Sequence, residues 1–201
     1  MAKTRIEWGT HSLLMLLRGW EGKYGIQVSV AADRSVVWKG ANDRHFGKTV
    51  HRVCPPYPES LLNEFLKKNE FLSQYNHPAF WRESASFSIF LGHVSIIGPR
   101  LLMYPELFLN TPGVVEENTD NPRVCSMFEG AIFGFSQNHL DSFHLLEDAS
   151  GEVHCVHFDT LEASHSWRSV QDFWSSTYEE LNQNWTPGSE YIASWQTSQS
   201  G

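Results

Sequence analysis

Between Ile132 and Leu181 the chain reads IFGFSQNHLDSFHLLEDASGEVHCVHFDTLEASHSWRSVQDFWSSTYEEL, and few folds accommodate that pattern. Short apolar runs at Ile132–Phe135, Ser142–Leu146 and Val153–Phe158 are separated by polar, acid-rich turns, the signature of successive antiparallel strands. The rhythm then changes. Val170, Phe173, Trp174, Thr177, Tyr178 and Leu181 recur at helical spacing, behind a Ser169/Asp172 pair placed like a capping box. Strands that end in an amphipathic helix with an aromatic stripe predict a sheet whose core that helix covers.

Earlier segments give weaker signals. Thr10 to Trp20 predicts a short helix, and Ile26–Val30 with Ser35–Lys39 predicts a hairpin around Ala31–Arg34. The stretch from Gly40 to Pro58 reads as a loop. Pro58 suits the first turn of a helix whose apolar face is Leu61, Leu62, Phe65, Leu66 and Leu72. Pro78 opens a further segment that fits helix or strand equally, since Phe87, Ile89 and Leu91 also alternate. Val94–Ile97 and Leu101–Tyr104 predict short strands around Gly98-Pro99, and Thr111–Arg123 reads as the longest exposed loop. The expected fold class is α+β: a largely antiparallel sheet packed by a few helices, with an N-terminal helix-hairpin elaboration. The expected division is an extension over 1–57, a domain over 58–182 and a tail over 183–201.

Charge is distributed unevenly. Residues 1–100 hold 13 Lys+Arg against 8 Asp+Glu, whereas residues 101–201 hold 2 against 15, for a net charge of -8. So acidic a second half repels nucleic acid and anionic membrane and attracts basic partners. No run approaches the ~20 apolar residues of a membrane span. Cys54, Cys125 and Cys155 are widely spaced and odd in number, which fits reduced thiols and a cytoplasmic setting.

Chemistry-bearing motifs are sparse. Cys155, His157 and Asp159 project to one face of a strand, where a Cys–His pair would serve as nucleophile and base or as two zinc ligands. Both uses are opposed by the acidic setting and the short spacing. There is no GxGxxG after a strand, no GKS or GKT, no GxSxG and no HExxH. Lys39, Arg44, Lys48 and Arg52, interleaved with His45, Phe46 and His51, form a basic loop able to face phosphates, which keeps nucleic-acid binding as a further alternative.

The stretch from Glu59 to Leu181 resembles the SUKH superfamily of cell-wall-assembly-regulator-like and toxin-immunity domains. The resemblance rests on a leading helix (Glu59–Leu72), an aromatic-rich segment from Pro78 to Gly92, and the short strands of Val94–Leu109. Gly151-Glu152-Val153 after a strand and the closing helix Ser169–Leu181 complete it. Leu-Pro before the second helix is replaced by His77-Pro78, and Asn-Gly at its end by Leu91-Gly92. The resemblance implies an α+β domain that binds proteins and does not catalyse, with no cofactor: bacterial members neutralise toxins, often nucleases.

The expected activity is accordingly capture of a basic protein partner, as by an immunity or counter-defence protein. Its expected surface is the acidic turns: Asp141, Glu147, Asp148, Glu152, Asp159 and Glu162, with Glu116, Glu117 and Asp120 from the long loop and Trp167 as aromatic anchor. The alternatives are a small hydrolase or transferase using Cys155, His157 and Asp159, and nucleic-acid binding through the loop 39–52.

Overall fold

The computed structural model describes residues 27–31, 34–39, 49–89, 94–99, 113–137 and 141–184. Among these, nine strands form one antiparallel sheet in chain order: β1 (Gln27–Val30), β2 (Val36–Lys39), β3 (Thr49–Val53), β4 (Phe87–Ile89), β5 (Val94–Ile96), β6 (Gly130–Gln137), β7 (Ser142–Asp148), β8 (Val153–His157) and β9 (Ala163–Trp167). Every strand pairs with its sequence neighbours, so the sheet is a meander. Five α-helices accompany it: α1 (Glu59–Lys68), α2 (Pro78–Glu83), α3 (Val114–Asp120), α4 (Pro122–Met127) and α5 (Val170–Asn184), with a 3₁₀ turn at Glu70–Gln74. The architecture is mixed α+β, dominated by its sheet. The expected helix at Thr10–Trp20 and strand at Leu101–Tyr104 lie outside the described residues.

Alternation on the strands sorts side chains onto two faces. One face carries Trp38, Phe87, Ile89, Phe133, Leu145 and Cys155, and buries them against Leu62, Leu72, Phe80, Trp81, Phe173 and Trp174 from the helical segments. The opposite face holds a smaller core, in which Ile132, Leu146 and Val156 meet Val124 of α4, with Phe128 and Leu161 beside them. β7 therefore lies between two apolar layers, and five consecutive residues, Phe143–Glu147, are buried.

Three expectations change. Gly40–Pro58 is not all loop, because Thr49–Val53 forms β3 and pairs with both β2 and β4. Helix and strand share the ambiguous segment after Pro78: α2 ends at Glu83, and Phe87–Ile89 pairs as β4. The acidic "loop" Thr111–Arg123 contains α3 and the start of α4, with Pro122 at the first turn of α4 and the Glu116 carboxylate accepting the Gly113 N–H at 2.7 Å. In α5, Ser169 Oγ accepts the Asp172 N–H at 3.0 Å, as the capping pattern predicts.

Two glycines answer specific needs. Gly134 sits at a register shift in β6, where a Cβ would lie 2.5 Å from the Ser95 carbonyl oxygen on β5. Gly151 has φ +90, the left-handed conformation that the β7–β8 turn requires.

Candidate functional site

The meander separates the acidic residues along the strand direction. Asp148 and Glu152 flank the β7–β8 turn. Asp141, just before β7, Asp159 and Glu162 lie at the other end of the sheet, where Phe143 pairs with His157. Five residues of β8 stand between the two groups, roughly 17 Å at ~3.3 Å per residue. The carboxylates thus form two clusters and not one surface.

Three residues expected on the contact surface are buried. Glu147 is fully enclosed: its carboxylate accepts the Asn76 N–H and Asn76 Nδ2 at 2.8 Å each, the His77 N–H at 2.8 Å and His77 Nδ1 at 2.9 Å. The reason is parity, since Glu147 shares the inward face of β7 with Phe143 and Leu145. Burial alone would raise its carboxyl, but the hydrogen bonds from His77 and Asn76 outweigh that and hold it below the ordinary carboxylate range. Glu117 turns inward on α3, with Oε1 2.7 Å from Asn121 Nδ2 and 3.5 Å from His144 Nδ1. Trp167 is also buried; it pairs with Val153 and packs edge-on against Phe173 in the core.

Glu116 caps α3 and Asp120 is exposed at its end. Asp159 and Glu162 are exposed, and Asp141 is half-buried and bonded to His157 Nε2 at 3.1 Å. Between them Phe158 exposes 36% of its surface while its ring stacks on His144 at 3.9 Å. Sequence reasoning missed Phe158. Its signal was an apolar residue one step beyond a strand, inside an acidic turn.

Cys155, His157 and Asp159 do not assemble into a catalytic site. Cys155 is wholly buried, and burial pushes its thiol up to about 12, the reverse of what a nucleophile needs. The His157 ring is engaged elsewhere: Nδ1 accepts the N–H groups of Asp159 and Thr160, at 3.1 and 3.2 Å, and so shapes the β8–β9 turn. Of the basic loop, residues 40–48 lie outside the described residues. Lys39 ends β2, and Arg52 Nε donates to Ser35 Oγ at 3.1 Å.

At the β7–β8 turn, Asp148, Glu152 and His154 each offer a ligand-type atom, and these atoms all lie within 4.8 Å of one another. His154 Nε2 meets Asp148 Oδ2 at 2.9 Å, and His154 Nδ1 meets Ser166 Oγ at 2.8 Å. Asp148 Oδ1 accepts the N–H groups of Ser150 and Glu152, fixing the turn. The sequence signal was the D-x-x-x-E-x-H spacing around Gly151, which brings its ends together only when folded as a hairpin.

No family model, curated protein or solved structure matches this chain. Among the described residues no helix is long and apolar enough to cross a membrane. What the fold and its side chains define is a sheet-dominated α+β protein in which Cys155, His157 and Asp159 do not come together as a catalytic group.

Proposed function

We propose that this chain is a non-enzymatic protein-binding module that captures a basic partner protein and neutralises or sequesters it, in the manner of SUKH-type immunity or counter-defence proteins. The observation that carries this reading is the strand order. Because the sheet follows the chain, the cations of β1–β3 and the acidic residues of β6–β9 lie on opposite sides of the sheet. Arg34, Lys39 and Arg52 accompany β1–β3, whereas β6–β9 and their connections carry acidic residues with only Arg123 and Arg168 against them. At ~4.8 Å per strand, β3 and β6 stand about 14 Å apart and β2 and β8 about 29 Å across the sheet, beyond the ~8 Å screening length of physiological salt. Each pole therefore acts on its own surroundings, and an acidic pole accelerates encounter with a cationic surface and sets its register.

The contact surface of this reading is the β8–β9 end: Asp141, Asp159 and Glu162 around the exposed ring of Phe158. An aromatic ring inside a charged rim is the arrangement of an interface hot spot. The order of helix, aromatic-rich second helix, antiparallel strands and closing helix also supports the SUKH-like assignment.

The test is affinity capture by the wild type and by an Asp159→Lys/Glu162→Lys variant, followed by association kinetics across a salt series. A stoichiometric basic protein held by the wild type, with slower and less salt-sensitive association in the variant, supports the reading. Identical kinetics for both proteins reject it.

A further inference from the structure

The geometry points to a binding site for a single divalent transition ion of the zinc class at the tip of the β7–β8 hairpin, held by His154 Nε2, Asp148 Oδ2 and the Glu152 carboxylate. This site is independent of the docking surface proposed above, which lies at the other end of the sheet.

The donor set is selective. One imidazole nitrogen with two carboxylate oxygens suits zinc and its neighbours, with water completing four-coordination, whereas magnesium and calcium favour oxygen alone. The dimensions fit as well. Ligands at about 2.0–2.1 Å around a tetrahedral ion lie roughly 3.3 Å from one another. His154 Nε2 and Asp148 Oδ2 stand 2.9 Å apart and need to spread by a few tenths of an ångström, while Glu152 closes in from within 4.8 Å.

The scaffold is already set. Asp148 and Glu152 are joined through the Asp148 N–H and the Glu152 carbonyl at 2.9 Å, and His154 is registered against Leu146. Ser166 on β9 holds His154 Nδ1, the outer contact that typically orients a metal-binding imidazole. The site also differs from a solvated acidic turn. The Asp148 and His154 side chains are only 19% and 13% exposed, and Phe128 covers the imidazole at a centroid distance of 5.2 Å. Among the described residues no Lys or Arg forms an ion pair with Asp148 or Glu152, both partly buried, so no permanent cation offsets the two carboxylates. A dication supplies that charge. On binding, Nε2 gives up its hydrogen to solvent and one is taken up at Nδ1 and donated to Ser166 Oγ, leaving the imidazole neutral.

The experiment titrates the full chain, dialysed against chelator, with Co²⁺ followed by visible ligand-field absorption, and then with Zn²⁺ as displacer. One saturable site is expected, with Zn²⁺ competing. His154→Gln and Glu152→Gln abolish it, and Ser166→Ala weakens it about tenfold. Absence of saturable Co²⁺ binding overturns the inference, as does binding that survives both ligand substitutions, which would place it at other histidines. If His154→Gln perturbs the thermal melt, Glu152→Gln, in the turn, decides alone.

Discussion

Glu147 holds the backbone N–H of His77 at 2.8 Å across 70 residues of sequence, and it grips the His77 imidazole with the same carboxylate oxygen. That contact ties the middle of the sheet to the segment entering α2. His77 in turn lies between the rings of Phe133 and Tyr75, at centroid distances of 5.2 and 5.5 Å. A charge in such a place is held only by its partners, and removing it exposes the cost of those left behind.

Glu147→Ala therefore destabilises the fold by about 3 kcal/mol or more, the usual consequence of breaking a buried pair. Urea unfolding at neutral pH measures it, and a midpoint equal to that of the wild type would refute the structural role. Because the Glu147 carboxyl is held below its ordinary value, the stability it gives is present at neutral pH and is lost as pH falls through that lowered value.

Glu117 and His144 predict opposing pH slopes. Burial, aided by Asp120, raises the Glu117 carboxyl from 4.5 to about 6, so its contribution is present in acid and is lost as pH rises through 6. Burial lowers His144 from 6.5 to about 4, so its contribution is present above 6.5 and is lost as pH falls through 4. Glu117→Gln unmasks the histidine: urea midpoints drop from pH 6.5 to pH 4.5 more steeply than in the wild type. His144→Asn unmasks the carboxyl and tilts the profile the other way. Parallel profiles for all three proteins would contradict the opposing, burial-driven slopes.

Cys155 stays unmodified by iodoacetamide at neutral pH while the protein is folded, and reacts once it is unfolded in urea. Peptide mass spectrometry distinguishes it from Cys125, which is half-buried. Rapid alkylation of Cys155 in the native state would restore the hydrolase reading.

Much of the sheet was legible because short apolar runs bounded by polar turns mark its strands, as in β6 to β8, and α5 was legible from its aromatic spacing. β3 was hidden because His51 and Arg52 interrupt its apolar residues and three prolines follow closely. The helices of 113–127 were hidden because Gly113 and Pro122 read as loop punctuation when they in fact open helices. At the site, net charge suggested that acidic residues face water. Parity said otherwise for Glu147, which alternates with Phe143 and Leu145, and for Trp167, which faces Val153. Glu117 carried no such local signal, because its burial depends on α3 lying over His144 of β7.

A sheet whose strands follow the order of synthesis has a consequence for biogenesis. Each strand leaving the ribosome finds its neighbour already present, so pairing advances by short loop closures and avoids the slow search of distant partners. The aromatic layer is different. Phe80, Phe87 and Phe133 complete their ring contacts only when Phe173 and Trp174 arrive on α5. A nascent chain stalled before residue 170 would thus display an assembled but greasy sheet, the form that chaperones recognise.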